Sequence, residues 1–569
     1  MENIFFDIGM VIIIATVFAY FAKFFKQPLI PAYILTGVIL GPVLGLITNT
    51  EIITTFSEIG IAFLLFIVGL EINIRKLRHV GIVASFGGIV QIVSIFTAGF
   101  IISLLLGFVV LESVYIALII AFSSTMVVIK LLSDKKEIDT LHGKIIIGIL
   151  LIQDIAAILA LSVLVGLNDF SFVALFLSIF KGVIALLLAI AVSKFIFPPL
   201  FTFAAKSQEL LFISAVSISL LYSMLFNYLG FSIAIGAFIA GVSLANLPYN
   251  IQIIGKVKSL RDFFSVMFFV SLGMELLLST FDFILRPLVV LLLLVVIVKP
   301  LIIMFTTAFF GYKKRTSFLT SISLAQISEF SLIIVAQGLI LGHISQEIFS
   351  LAVLLAIGTI TLTTYFIKYE NSIYGRISNY LNIFDKMTEN KNELEYMPKK
   401  GKNEIILCGY NRIGYNIVKT LLKVKKRVLV VDFNPETIKS LISQKIPSLY
   451  GDVGDLEILE RLNFKKAKMV ISTIPTKMDN ILLIKTARKE NKNIVIFVTA
   501  EQIKEALQLY DAGADYVVLP HFLGGDHISL LIEDFTEDIN KIIEHKMKHI
   551  EELKERHALG HEHPEQHPA

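Results

Sequence analysis

Long apolar stretches, each of about 20 residues, follow one another through the first two thirds of this 569-residue sequence. A helix needs roughly 20 apolar residues to cross the ~30 Å hydrocarbon core of a bilayer. Thirteen stretches meet this length, and they start near residues 8, 28, 51, 80, 111, 143, 172, 208, 229, 256, 284, 316 and 346. Charged residues make up only 17% of the chain, against roughly a quarter in soluble proteins. The sequence therefore predicts an all-α polytopic membrane domain with 13 transmembrane helices over residues 1–370.

The distribution of basic residues predicts how these spans are oriented. If successive loops alternate sides, one set of loops holds sixteen Lys and Arg residues, and the other holds only Arg286 and Lys181. Basic loops face the cytoplasm. The N-terminus is therefore predicted to lie outside the cell membrane and the C-terminal region in the cytoplasm.

The first ten residues lack the basic start and cleavage site of a signal peptide, so the first stretch is expected to remain as a span. Cys408 is the only cysteine, which fits a reducing compartment.

An internal repeat appears when the sequence is shifted by 204 residues. Gly37 then falls on Gly241, Gly69 falls on Gly273, and the polar run Ser123–Thr125 falls on residues 327–329. Predicted spans 1 to 6 pair with spans 8 to 13, so seven spans separate the partners. Because seven is odd, the two halves are expected to have opposite orientations, the inverted-repeat plan of secondary transporters.

Polar and ionisable residues lie deep within several predicted spans. A residue ten to fifteen positions into a span lies near the bilayer midplane, where an ionisable group costs several kcal/mol unless it is paired or hydrated. Two of the spans are interrupted by hydroxyl and carboxyl groups, as in AFSSTMVVIK and LAQISEFSLI, which predicts two crossed broken helices. The predicted ion- and proton-binding residues at this depth are Asp154, Ser123, Ser124, Thr125, Lys299, Ser328 and Glu329.

Several of these runs carry a family resemblance. LLIQDIAAI around Asp154, the preceding AFSSTMVVIKLL, and LIPAYILTGVILGP near the start resemble the Kef-type branch of the monovalent cation:proton antiporter-2 family. The resemblance implies a homodimer that exchanges a cation for protons through an elevator-like movement, with Asp154 as the shared carboxylate. Related sodium/proton exchangers carry two adjacent aspartates, where this chain has Gln153 and Asp154. This difference favours electroneutral exchange and K⁺ over Na⁺.

A mechanism follows from the depth of two charges. If Asp154 and Lys299 form a pair, they titrate as one coupled unit, and a cation or a proton occupies the carboxylate, but not both. The alternative for this pair is a structural ion pair between two helices. The alternatives for the whole chain are a ligand-gated potassium efflux channel on the same fold, a Na⁺/H⁺ antiporter, or a sensor that transports nothing. An enzyme is not expected, because no set of catalytic acid and base residues accompanies the motifs.

The sequence pattern changes after a charged linker over residues 371–402. Strand and helix signals alternate over residues 403–522, as in a doubly wound sheet. GYNRIG forms a glycine turn after the first strand, and RVLVVD ends on an acid that could bind a ribose hydroxyl. These runs resemble the Rossmann-like N-terminal part of RCK domains, also called TrkA-N, which implies regulation by a nucleotide. The predicted nucleotide-binding residues are Gly409, Asn411, Arg412, Ile413, Gly414, Asp432 and Asp452.

The identity of the nucleotide stays open at this point. Asn411 stands where the family pattern has its middle glycine, so AMP and NAD(H) are both candidates, and a ligand-free dimerisation module is the alternative. Residues 523–569 predict an amphipathic helix followed by a disordered tail rich in His and Pro. No metal site and no nucleic-acid partner are predicted.

Overall fold

The fold was analysed in a computed structural model of the chain. The structure describes residues 4–47, 51–71, 82–135, 137, 140–165, 189, 191–229, 232–245, 247–277, 281–378, 380–386, 395–396, 404–410, 413–454, 456–525, 528–529 and 550. The chain divides into two compact units, Met1–Thr388 and Glu389–Ala569. The described part of the first unit is helical, and the second unit is built on a β-sheet.

The described helices of the first unit are mostly apolar. They are α1 Ile4–Phe24, α2 Leu29–Val38, α3 Glu51–Glu71, α4 Ile82–Leu105, α5 Val110–Ala121, α6 Thr125–Asp134, α7 Leu141–Val165, α8 Phe197–Ala204, α9 Gln208–Tyr228, α10 Ile233–Leu244, α11 Asn250–Met274, α12 Phe281–Leu293, α13 Lys299–Phe309, α14 Lys314–Ser323, α15 Glu329–Ile340, α16 Gln346–Ile377 and α17 Asn382–Lys386. A π-helical turn over Leu294–Val298 joins α12 to α13.

Seven helices among the described residues are long and apolar enough to cross a membrane. They are Phe5–Phe24, Phe86–Leu105, Val110–Ser133, Leu141–Leu161, Gln208–Tyr228, Ile284–Phe309 and Gln346–Glu370, and four shorter apolar helices accompany them. Most of the predicted span that starts near residue 172 lies outside the described residues, as does Lys181. The count of 13 spans therefore stays a prediction.

Both predicted helix interruptions are present. The first separates α5 from α6 at residues 122–124, and the second separates α14 from α15 at residues 324–328. A serine side chain caps each new helix, because the hydroxyl of Ser124 accepts from the N–H of Val127 and that of Ser328 accepts from the N–H of Phe330. Serine competes with the backbone for hydrogen bonds and so favours helix starts over helix interiors.

Two pairs of helices cross at glycines, and the 204-residue shift aligns one crossing with the other. α2 crosses α11 at Gly37 and Gly273, and α3 crosses α10 at Gly69 and Gly241. A Cβ added at Gly37 would lie 2.9 Å from the Cα of Gly273, and one added at Gly241 would lie 2.9 Å from the Cα of Gly69. Backbones this close leave room for no side chain, which is the role of small residues between membrane helices.

The described part of the second unit forms a seven-stranded sheet. Its strands are β1 Glu395–Tyr396, β2 Ile405–Cys408, β3 Val428–Asp432, β4 Ser448–Tyr450, β5 Met469–Ser472, β6 Val495–Thr499 and β7 Tyr516–Val518, in the order β1-β4-β3-β2-β5-β6-β7. All neighbours are parallel except β1, which pairs antiparallel with β4. The helices between strands are α18 Ile413–Lys423, α19 Pro435–Ser443, α20 Leu456–Arg461, α21 Lys477–Glu490 and α22 Ile503–Asp511.

The strand order explains where this unit can bind a ligand. Strands β2 and β5 are neighbours, but the chain leaves them toward opposite edges of the sheet. This is the topological switch point of a doubly wound fold, and ligands bind in the crevice at the carboxyl ends of its strands. Buried aliphatic residues on both faces, including Leu407, Val430 and Val470, exclude water from the sheet.

Candidate functional site

The two helix breaks bring unwound backbone into a buried, polar region of the first unit. Such backbone survives in a membrane domain only when other parts of the protein satisfy its N–H and C=O groups. At the first break, the side chain of Gln153 accepts from the N–H of Ser123 at 2.9 Å, and the hydroxyl of Ser123 donates to the carbonyl of Leu324 at 2.9 Å. The first break is thus bound to α7 and to the second break.

Side chains of helix α16 form hydrogen bonds with the unwound backbone of the second break. The hydroxyl of Thr363 donates to the carbonyl of Ala325 at 2.7 Å, and the hydroxyl of Thr359 accepts from the N–H of Ile327 at 3.3 Å. The sequence analysis did not identify these threonines. Their spacing of four residues within TITLTT, which places both hydroxyls on one helix face, is the signal that could have found them.

Lys299 lies where helix ends meet. Its ammonium donates to the carbonyls of Ile120 and Phe122 at 2.9 Å each and to that of Gln326 at 2.7 Å. These carbonyls belong to the end of α5 and to the two breaks, where the negative ends of α5 and α14 lie. Pro300 follows directly and lacks an N–H, which accounts for the π-helical turn that precedes Lys299.

The contacts of Lys299 correct one expectation. We predicted a pair between Asp154 and Lys299, but an ammonium has three donors and backbone carbonyls take all three here. The side chain of Lys299 is completely buried. In this arrangement Lys299 joins the two breaks, and Asp154 has other partners.

Glu329 lies at helix N-termini, which carry the positive end of the helix dipole. It is the first residue of α15, and its Oε1 accepts from the N–H of Met126 at the start of α6 at 3.4 Å. Two helix N-termini therefore share one carboxylate, which is favourable because both present unpaired N–H groups. The neighbouring Ser331 donates to the carbonyl of Ile119 at 2.8 Å and ties the two broken helices together a second time.

Asp154 projects from the middle of α7 toward the first break. Its two carboxylate oxygens accept from the hydroxyl of Thr125 at 2.9 and 3.0 Å, and Thr125 is the first residue of α6. The side chain of Asp154 is 7% exposed. A buried carboxylate that faces a hydroxyl and a helix start can hold either a proton or a small cation at one position.

The structure thus brings the predicted membrane residues into one region. Gln153 and Asp154 on α7 contact Ser123 and Thr125 at the first break, and Glu329 contacts the start of α6. Ser124 and Ser328 act as helix caps. The assignment of all these residues as ion-binding residues stays a prediction.

The glycine turn of the second unit follows β2 at the switch point. Gly409 has φ +88°, and a Cβ there would lie 2.5 Å from the hydroxyl of Thr473. A Cβ at Gly414 would clash with the carbonyl of Gly409. Only glycine fits these two positions, so the start of α18 can approach β2 as closely as phosphate binding on a helix N-terminus requires.

The acid predicted to bind the ribose supports this turn from β3. Asp432 accepts from the N–H of Tyr410 at 2.8 Å and from the N–H of Asn434 at 2.7 Å, and its side chain is 7% exposed. Asp452 accepts from the N–H of Gly454 at 2.9 Å in the turn after β4. These side chains lie at the carboxyl ends of neighbouring strands.

Other predicted nucleotide contacts are described only in part. Ile413 is the first residue of α18, whereas Asn411 and Arg412 lie outside the described residues. Thr473 was missed by the sequence analysis. It donates to the carbonyl of Gly409 at 3.1 Å, and its place directly after β5, at the switch point, is the signal that could have found it. The described residues of this region thus form a glycine turn directly before the N-terminus of α18.

The described residues contain no group of three His, Cys, Asp or Glu side chains that could hold a metal ion. The histidines of the C-terminal tail, from His557 onward, lie outside that part of the chain.

Two family models match the chain. Residues 11–368 match the transmembrane domain of sodium/hydrogen exchangers, and residues 405–520 match the TrkA-N domain.

Individual relatives span both units. The Escherichia coli strain K12 protein named "Putative cation/proton antiporter YbaL" is 28% identical over 87% of this chain and 90% of its own length. The glutathione-regulated potassium-efflux system protein KefC of Klebsiella pneumoniae strain 342 is 26% identical over 85% of this chain and 77% of its own. The solved sodium proton antiporter MjNhaP1 of Methanocaldococcus jannaschii covers 66% of this chain and 97% of its own, with 18% identity and a TM-score of 0.48.

Proposed function

Because the chain belongs to the sodium/hydrogen exchanger family and carries a C-terminal TrkA-N domain, we propose that it exchanges K⁺ for protons and that a nucleotide regulates the exchange. The resemblance to Kef-type antiporters is confirmed by these two matches and by the similarity to KefC. The relatives are transporters and not enzymes. This chain is likewise a cation/proton antiporter and not an enzyme.

The observation that supports the mechanism is the buried carboxylate of Asp154 beside the first helix break. Thr125 donates to both of its oxygens, and the N-terminus of α6 faces it. A proton or a dehydrated cation can neutralise this carboxylate, and each excludes the other. If only the neutralised site can change sides, the two fluxes are coupled.

Lys299 and Glu329 have positioning roles in this proposal. Lys299 neutralises the negative ends of the broken helices, and Glu329 neutralises the positive ends. In this proposal both residues keep these partners when the ion binds, and one proton exchanges for one cation at Asp154. Gln153 holds the first break through an uncharged amide, which adds no second titrating acid beside Asp154.

The remaining parts of the proposal concern the whole protein. It is a homodimer in the cell membrane, with the N-terminus outside and the TrkA-N domain in the cytoplasm. The two glycine crossings support an inverted repeat of six helices, since they are equivalent under the 204-residue shift. AMP or NAD(H) binds between the turn at Gly409 and Asp432, and its phosphates lie on the start of α18.

The test is ion exchange by the purified full chain in proteoliposomes with a pH-sensitive dye inside. We expect K⁺ gradients to drive proton movement more strongly than Na⁺ gradients, and imposed membrane potentials to leave the rate unchanged. A stronger response to Na⁺ would assign the chain to Na⁺/H⁺ antiport. Currents on a solid-supported membrane would contradict one-for-one exchange.

A further inference from the structure

One face of α16 runs from the second helix break to the point where the chain leaves the first unit. Thr359 and Thr363 bind the break, and Glu370 and Tyr374 follow on the same face at helical spacing. α16 has 32 residues and is thus roughly 48 Å long. A single continuous helix therefore connects the ion-site region with the linker to the TrkA-N domain.

Residues 367–378 and α17 together form the exit segment. The first contact of the exit segment is with the end of α6, the half-helix that begins at Thr125. The ammonium of Lys135, which follows α6 directly, donates to the carboxylate of Glu370 and, at 3.1 Å, to the carbonyl of Ile367. The side chain of Glu370 is 1% exposed and that of Lys135 is 26% exposed, so the carboxylate end of this ion pair is buried.

Its second contact is with α14, the half-helix that precedes the second break. The rings of Phe318 and Tyr374 are 5.6 Å apart, and the ammonium of Lys314 donates to the side chain of Asn382 at 2.7 Å. Apolar packing joins them, formed by Met304, Phe318, Leu319, Ile322 and Leu381 with Phe366, Ile373, Tyr374, Ile377 and Phe384. The exit segment is therefore bound to one half of each broken helix.

We propose that the exit segment is a mechanical coupling element. A movement of the linker that the TrkA-N domain imposes is transmitted through the Lys135–Glu370 pair to α6 and through the Phe318–Tyr374 contact to α14. Both half-helices end at the ion site, where Thr125 and the backbone of the second break lie. Regulation then acts by changing the packing of α6 and α14, and Asp154 itself is left unaltered.

This inference rests on the proposed nucleotide regulation for its functional readout, but its structural readout does not. Glu370→Gln removes one charge from the coupling contact, and Glu347→Gln makes the same change in the first turn of the same helix. Tyr374→Ala removes the aromatic contact, and Tyr369→Ala is its control because Tyr369 is 52% exposed. All four variants keep the residues of the ion site.

The structural readout is hydrogen–deuterium exchange of the full chain in nanodiscs. We expect Glu370→Gln to raise the exchange rate in α6, and Tyr374→Ala to raise it in α14, by roughly tenfold, which corresponds to about 1.4 kcal/mol of local stability. The two control variants should leave both helices unchanged. Unchanged exchange in α6 and α14 of both coupling variants would overturn the inference.

The functional readout is K⁺/H⁺ exchange with and without AMP or NADH on the TrkA-N side. We expect the coupling variants to exchange ions without nucleotide and to lose most of the nucleotide response that the controls retain. A full response in both coupling variants would overturn the inference. If the unmodified chain does not respond to either nucleotide, nucleotide regulation itself fails, and deuterium exchange alone decides whether the exit segment holds the half-helices.

Discussion

At the scale of single residues, the contacts of Lys299 determine how the buried charges of the membrane unit are balanced. A buried ammonium would be costly if it were unpaired, and three carbonyls at helix ends satisfy it here. This makes Lys299 a structural link between the broken helices, in addition to any role in ion movement.

Replacing Lys299 with Met should therefore destabilise the protein. The three carbonyls would lose their donor inside the membrane unit, at about 1–3 kcal/mol for each unsatisfied group. We expect a clearly lower melting temperature in detergent, measured by scanning fluorimetry. Lys256→Met is the control, because that lysine is exposed on α11. Equal melting temperatures for the two variants would show that the carbonyls find other partners.

Cys408 offers a second residue-scale prediction, since it lies at the end of β2 directly before the glycine turn. Burial, with a smaller effect from the nearby carboxylate of Asp432, raises the pKa of the Cys408 thiol to about 12. At pH 8 the thiolate fraction is then on the order of 10⁻⁴, and only the thiolate reacts with alkylating reagents. Iodoacetamide should label the native chain at least roughly a hundredfold more slowly than the unfolded chain, as followed by mass spectrometry. Rapid labelling of the native chain would mean that this strand end opens to solvent.

At the scale of elements, glycine crossings determine how close the helices of the membrane unit pack. Gly273→Ala would place a Cβ 2.9 Å from the N–H nitrogen of Val38, and backbone on both sides prevents an easy shift. Gly255 lies on the same helix, α11, and a Cβ there meets nothing within 4 Å. We expect Gly273→Ala to lower the melting temperature and Gly255→Ala to leave it unchanged or raise it slightly, since alanine favours a helix by roughly 0.5–1 kcal/mol over glycine. Similar behaviour of the two variants would argue against close packing at Gly273.

Much of this element-level arrangement could be predicted from the sequence. Apolar length predicted the seven long apolar helices that the structure describes. The polar runs SSTM and SEFS predicted the two breaks, because polar groups inside an apolar helix are costly unless they are paired or hydrated. The alternation of strand and helix signals predicted the Rossmann-like unit. The partners of individual groups could not be predicted, since Thr359 and Thr363 reach the second break only through the packing of α16. The same limit explains the wrong pairing of Lys299, whose carbonyl partners belong to backbone that carries no sequence signal.

At the scale of the whole molecule, two units with different chemistry share one chain, and the linker connects them covalently. The TrkA-N domain supplies a cleft at the switch point, and the membrane unit supplies a buried carboxylate between broken helices. The proposed regulation requires both units. A substitution in the TrkA-N domain should therefore change the rate of ion exchange but leave the ion site intact.

The nucleotide cleft can be tested in the full chain. Asp432→Ala removes the predicted ribose acceptor and also the acceptor for the N–H of Tyr410 in the glycine turn. We expect AMP or NAD(H) binding to weaken by roughly tenfold or more, since a lost acceptor costs about 1–3 kcal/mol. Asp432→Asn keeps one acceptor oxygen and should be intermediate. Calorimetry that detects no binding of these nucleotides to the unmodified chain would leave the domain as a dimerisation module.

The central claim is that Asp154 is the one position at which a proton and K⁺ compete. Its most direct test is K⁺-driven proton flux in proteoliposomes that contain Asp154→Asn, with Asp262→Asn as the matched control. The side chain of Asp262 is 58% exposed and paired with Arg261, so we expect exchange to continue without its charge. Asparagine cannot take up a proton, and we expect Asp154→Asn to insert and dimerise normally but to show no K⁺-dependent proton flux. The control should keep the rate of the unmodified chain. Substantial flux through Asp154→Asn would contradict the mechanism.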